Sequence, residues 1–292
     1  MKPSRRVEGA HADGIWSCVW KDNRIFTGSS DGTVKMWSDD LSLLATSSRH
    51  HMGILSVQPL QSKDLVLCST QDGIIRFLNG ANLEETGRIE CGLLEAWTIC
   101  SSHDDVVATG SQHGVAHIWS IDGRTKLASL ETGNKMIMSL DFHPTQQLLA
   151  TSGLDGMLNV FDVETSKLIH KVDSHALPVR KVKYSPNGGL IYTCSDDRRV
   201  NIFDTHSGTI VASFSQSGMA LTLDTSPNHR HFAVGCSDHK VQYWDLGMRE
   251  CMHTFDSQHT DQVWDISFNS TGGKFASVGD DALMQIYENS SV

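Results

Sequence analysis

Apolar and polar residues alternate at every second position in short runs along this chain, as in "GTVKMW" at 32–37 and "KVQYW" at 240–244. A period of two marks a β-strand with one buried face, and the β-branched and aromatic residues in these runs favour the same conformation. No stretch carries a long 3.6-residue period, so no long helix is predicted. Turn signals separate the runs: Asp-Gly at 31–32, 72–73 and 155–156, and "SPNGG" at 185–189.

The strands belong to a larger repeat. Seven segments end alike: "DGTVKMWS", "DGIIRFLN", "HGVAHIWS", "DGMLNVFD", "DRRVNIFD", "DHKVQYWD" and "DALMQIYE". Their penultimate residues are Trp37, Leu78, Trp119, Phe161, Phe203, Trp244 and Tyr287, spaced by 41, 41, 42, 42, 41 and 43 residues. That period is the length of one four-stranded propeller blade of the WD-repeat type. A lone sheet of four strands cannot bury both faces, so such units stack around an axis. The predicted fold is all-β: residues 1–292 form one seven-bladed WD-repeat β-propeller, with blades ending near 37, 78, 119, 161, 203, 244 and 287. Only five residues follow Tyr287, which leaves the last blade one strand short. Residues Lys2–Glu8 are expected to supply that strand and close the ring, with Pro3 at its start where a missing N–H matters least.

Aligned on the terminal aromatic, each blade shows recurring polar positions. The turn residue six places earlier is Asp31, Asp72, His113, Asp155, Asp197, Asp238 or Asp281, and a hydroxyl such as Thr27 stands four places before it. His11, His50, His175 and His259 head four of the segments. The first blade holds the full set: His11, Thr27, Asp31 and Trp37 are expected to form a hydrogen-bond chain that ties the outer loop to the blade. The set resembles a catalytic triad, but it recurs blade by blade with members exchanged, which a nucleophile does not survive.

A second position recurs just after the loop entering each blade's innermost strand. It holds Trp16, Leu55, Trp97, Met138, Arg180, Leu221 and Trp264. Innermost strands surround a propeller's channel, so these residues are expected to ring one channel mouth. Beside them, among the residues preceding each turn position, lie Asp196 and Asp280. Trp and Arg are the types enriched at binding hot spots. The six residues Trp16, Trp97, Arg180, Trp264, Asp196 and Asp280 are therefore the expected partner-binding set, suited to a short peptide with a basic residue and an apolar anchor. With Trp, Leu and Met around the channel, converging titratable groups of the kind a channel enzyme needs are not expected.

Composition narrows the partners. A formal net charge of −10 argues against direct nucleic-acid binding, which needs Lys and Arg to neutralise phosphates. No apolar run approaches the ~20 residues that span a bilayer, so no membrane partner is expected. The start, "MKPSRRVEGA", lacks the apolar stretch of a secretory signal, which makes an intracellular protein the expectation. Seven cysteines, an odd number without CxxC spacing, read as reduced and buried. No metal motif, nucleotide loop or nucleophile elbow is present, so no cofactor, metal or catalytic residue is expected.

Four stretches carry a closer likeness: "AHADGIWSCVW", "EAWTIC", "SHALPVRKVKYSPNG" and "DQVWDISFNSTGGKFASVGDDALMQIYE". Together with blade order along the whole chain, they resemble the WD-repeat subunit of the superkiller (Ski) complex. The resemblance implies a non-catalytic adaptor that binds a tetratricopeptide scaffold subunit and, through it, an RNA helicase. It also implies support of exosome-mediated messenger RNA decay in the cytoplasm and, in animals, membership of the Paf complex on transcribing polymerase in the nucleus. The chain departs from the family pattern at His113, which replaces the turn Asp of blade three. A propeller serving another assembly, such as a ubiquitin-ligase substrate receptor, is the second reading.

Overall fold

The period-two runs become strands throughout the computed structural model, which describes residues 1–60, 62–102, 106–133 and 135–289. Among the described residues, twenty-eight strands, from β1 (Lys2–Val7) to β28 (Met284–Glu288), form seven four-stranded antiparallel sheets. Six sheets use consecutive strands. The seventh runs β1, β28, β27 (Lys274–Gly279), β26 (Val263–Phe268), so the N-terminal strand fills the outer place as expected. Pro3 stands opposite Tyr287, and a bulge between Pro3 and Arg5 bends the strand early. Gln285 Nε2 donates to the Arg5 carbonyl at 2.9 Å, and no side chain of β1 is buried.

The innermost strands are β2 (Ile15–Lys21), β6 (Ile54–Pro59), β10 (Thr98–Ser101), β14 (Ile137–Phe142), β18 (Val179–Tyr184), β22 (Ala220–Thr225) and β26. Each lies against the next, and β26 lies against β2, which closes the ring. Because every sheet has a neighbour on both faces, the second strands are apolar or small on both sides; β27, for instance, is buried from Phe275 to Gly279. The core is therefore a series of wedges between blades. One joins Ile15, Cys18, Trp20 and Trp37 of the first blade to Ala276, Met284 and Ile286 of the seventh. Glycine permits the closest approach: a Cβ on Gly28 would stand 2.6 Å from both Ile54 Cγ2 and Val57 Cγ2 of the next blade.

An innermost strand has one edge with no strand beside it, and its N–H groups need acceptors. Side chains of the preceding blade supply them. Ser17 Oγ accepts from Val57 N (3.0 Å), Ser139 Oγ from Val182 N (3.2 Å) and Asp265 Oδ2 from Cys18 N (3.0 Å). Two residues further down, Asp141 takes Tyr184 N (2.7 Å), Asp224 takes Phe268 N (2.7 Å) and Ser267 takes Trp20 N (2.9 Å). Titratable groups thus do converge below the mouth, contrary to the sequence expectation. Lys183 sits 3.3 Å from Asp141, and Lys181 sits 3.0 Å from Asp265. Trp, Leu, Met and Arg occupy the mouth position alone; the carboxylates lie one and three residues after it. Their hydrogen bonds to backbone N–H groups give them a structural task.

Candidate protein-docking site at the channel mouth

The loops that carry the mouth residues are fixed by the predicted hydrogen-bond chain. In the first blade His11 Nδ1 lies 3.1 Å from Asp31 Oδ2, His11 Nε2 lies 2.8 Å from Thr27 Oγ1, and Trp37 Nε1 donates to Thr27 at 2.9 Å. The imidazole is sealed from solvent, and burial pulls its pKa from 6.5 down to about 4. Burial opposes the Asp31 charge, but the Thr33 hydroxyl, the Ala12 N–H and His11 outweigh it and hold that carboxyl below its usual range. Each member of the set bonds within its own blade, so the chain ties the entering loop to the strands.

Sequence reasoning gave the full set to the first blade alone; the seventh closes it differently. His259 meets Asp281 at 3.0 Å and Ser277 at 2.6 Å, and the Tyr287 hydroxyl lies 3.4 Å from Ser277 in place of an indole. In blade five, His175 meets Asp197 and Thr193 at 2.9 and 2.8 Å. His50 forms no such chain. Its hydroxyl position is Cys68, and Asp72 is drawn instead to Arg76 at 2.8 Å.

The mouth depends on a feature that alternation alone does not predict. In six blades the innermost strand slips register by one residue at the mouth position, between Ile15 and Ser17, Ile54 and Ser56, Ile137 and Ser139, Val179 and Lys181, Ala220 and Thr222, and Val263 and Asp265. Such a bulge sets two residues against one and re-aims a side chain. Consequently Trp16 and Ser17 both face the channel, as do Trp264 and Asp265. All seven mouth residues named from the sequence line one cavity of about 360 Å³. The indoles of Trp16, Trp97 and Trp264 are each part-exposed there. Leu221 is the most enclosed of the ring, at 5% exposure. Among the described residues, Trp264 Nε1 has no acceptor.

Charge at the mouth is unevenly committed. Arg180 grips Asp196 through two parallel bonds, Nε to Oδ1 and Nη2 to Oδ2, both 2.8 Å. Asp196 is thus already neutralised by this chain, and it orients Arg180 rather than offering a free carboxylate. Asp280 is exposed, and among the described residues its side chain makes no hydrogen bond or ion pair. Beneath the ring, Lys181 of blade five reaches past Thr222 of blade six to Asp265 of blade seven, and Thr222 Oγ1 donates to the same oxygen at 3.0 Å. This bar gives the cavity a polar floor under aromatic walls.

A ring of sheets tied by His–Asp–hydroxyl locks, with a side-chain-lined channel mouth, defines a repeat propeller of the scaffold and adaptor kind. The chain belongs to the WD-repeat family: the model of the WD domain, G-beta repeat, matches residues 2–38, 166–204, 207–245 and 249–288. A model of the anaphase-promoting complex subunit 4 WD40 domain matches residues 98–178. Similar proteins include WD repeat-containing protein SL1-17 of Schistosoma mansoni, 31% identical over 46% of this chain and 48% of its own length. WD repeat-containing protein VIP3 of Arabidopsis thaliana is 29% identical over 52% of this chain and 54% of its own. Pre-mRNA-processing factor 19 of Oryza sativa subsp. japonica is 25% identical over 47% and 27%. The chain spans about half the length of the first two relatives.

Proposed function

We propose that this protein is a non-catalytic adaptor whose channel mouth takes a short segment of a partner protein, and that it serves as the WD-repeat subunit of a Ski-type complex. In that role it binds a tetratricopeptide scaffold subunit and, through it, an RNA helicase, in support of exosome-mediated messenger RNA decay in the cytoplasm. A nuclear pool associated with the Paf complex and transcription elongation follows from the same likeness.

The observation that carries the docking reading is the seven-residue ring with three part-exposed indoles around one 360 Å³ cavity. Part-exposed indoles on a folded scaffold gain apolar contact when a chain covers them, and they lose little freedom in doing so. Trp16, Trp97 and Trp264 take the apolar anchor, Asp280 takes the basic residue, and Asp196 holds Arg180 in place at the rim. The likeness of "IWSCVW", "EAWTIC" and "DQVWDISF" to the Ski-complex subunit supports the choice of assembly.

The test is co-purification from native extract with the wild-type chain and with Trp16→Ala/Trp264→Ala. A tetratricopeptide protein and a helicase are expected with the wild type and lost with the double variant at unchanged folding. Cullin-type partners would favour the ubiquitin-ligase alternative. Full recovery of every partner by the double variant would remove the mouth from the account.

A further inference from the structure

The three mouth tryptophans are not held alike. Trp16 and Trp264 each follow a residue already paired in the sheet, Ile15 with Ser29 and Val263 with Gly279. Strand β10, by contrast, begins at Thr98; Trp97 lies before it and is tied to the next strand through its own N–H, which donates to the Gly110 carbonyl at 2.9 Å. The loops differ by one residue. Ser30 N donates to the Gly14 carbonyl and Asp280 N to the Gln262 carbonyl, both at 3.0 Å and both two residues before the tryptophan. In blade three Gln112 N donates to the Leu94 carbonyl, three residues before Trp97. Leu94 itself sits at φ +64, a left-handed conformation that a branched side chain rarely adopts.

Glu95 follows Leu94 in this longer stretch. Its Oε2 lies 2.9 Å from His117 Nε2 and its Oε1 lies 3.2 Å from His113 Nδ1. His117 is fixed in turn by Ser129 Oγ, 2.9 Å from Nδ1. His113 stands where the first blade has the turn carboxylate Asp31. In blade three the acid and the imidazole have exchanged sides: the loop now brings the carboxylate, and the blade brings two imidazoles.

We propose that Glu95 is the positioning residue for Trp97, a two-pronged clamp that stands in for the paired residue before the tryptophan and, with the bond from Trp97 N–H to Gly110, fixes where the third indole meets a docked chain. The proposal rests on the docking role of the mouth given above. The clamp is geometric. An amide at position 95 satisfies the same two sites, its carbonyl accepting from His117 and its NH2 donating to His113 Nδ1, whereas a methyl group satisfies neither.

The experiment follows the Trp97 indole N–H resonance, assigned with Trp97→Phe, in Glu95→Ala, Glu95→Gln and His113→Ala, alongside co-purification from native extract. Glu95→Ala is expected to shift and broaden that signal, leave those of Trp16 and Trp264 in place, and cut partner recovery by about tenfold. Glu95→Gln is expected to restore both readouts. His113→Ala, which removes only the exposed prong, is expected to give a smaller shift and remains informative if Glu95→Ala does not fold. An unmoved Trp97 signal in Glu95→Ala, or in His113→Ala should the first variant not fold, overturns the positioning role. A moved signal with undiminished recovery in both Glu95→Ala and Trp97→Ala supports the positioning role and instead removes the docking role of this indole.

Discussion

His11 carries a burden that its neighbours share unequally. Sealed against Thr27 and Asp31, it folds as a neutral imidazole with its pKa near 4, while an unfolded chain binds that proton near 6.5. Between those values the unfolded state holds more protons, so stability rises with pH and is lost as pH falls through the window. The difference corresponds to ~3 kcal/mol. Urea unfolding of wild type from pH 7 to 4 is expected to show this loss, and His11→Gln to show a lower plateau and a flatter slope. An equal slope in both would remove His11 from the acid response. Gly73 makes the steric counterpart. At φ +75, a Cβ there would stand 1.9 Å from the Gly92 carbonyl oxygen, so Gly73→Ala is expected to cost more than about 1 kcal/mol by the same measurement. Recurrence makes the lock of blade one legible in the sequence, whereas the seventh blade closes its lock with a tyrosine hydroxyl that the repeat does not point to. At His50 the sequence shows only that Cys68 replaces the hydroxyl, not that Arg76 has captured the neighbouring carboxylate. It is also silent on Glu95, whose partners lie 18 and 22 residues away and reverse the usual order.

At the scale of the strand, alternation reveals which residues are buried but not where a strand slips. The mouth position is visible as a recurring column of Trp, Leu, Met and Arg. The bulge that turns this column and the next residue toward the same channel has no residue signature of its own. That is why Lys181 and Asp265 escape a reading that counts only the first column. The ring-closing strand was legible from the residue count after Tyr287, and its weakness follows from its composition. Four other outer strands bury anchors such as Ile89, Leu130 and Phe255, whereas β1, like β5 (Leu43–Thr46) and β17 (Lys167–Asp173), buries none. The adhesion of β1 is backbone pairing with β28, the bonds from Gln285 to the Arg5 carbonyl and from the Ser4 hydroxyl to the Ile286 carbonyl, and the part-buried Val7. Hydrogen exchange is therefore expected to be faster in β1 than in the outer strands anchored by Ile89, Leu130 and Phe255, and Gln285→Ala to accelerate it further. Protection of β1 equal to that of β25 (Glu250–Phe255) would show that the ring is fastened by something else.

The whole molecule is a ring whose seams differ. Ser17, Ser139, Ser267, Asp141, Asp224 and Asp265 each take an N–H of the next blade; blade five presents Lys181 and Lys183 on the channel side, which have no acceptor to offer. Asp265 is the busiest junction, bound by Cys18 N, Thr222, Ile266 N and Lys181. Asp265→Ala is expected to destabilise the ring by about 3 kcal/mol or more, since it strands several donors at once. Lys181→Ala is expected to cost less, because a third of that side chain already meets solvent. Urea midpoints in the opposite order would contradict this assignment. Rigid seams matter to function because they hold seven side chains around one opening. Site-specific photo-crosslinking tests that claim most directly, with a benzophenone side chain placed at Met138 in the mouth or at Leu127 on an outer strand, in native extract. A partner polypeptide captured from Met138 and not from Leu127 is the predicted result; capture from Leu127 alone would contradict it.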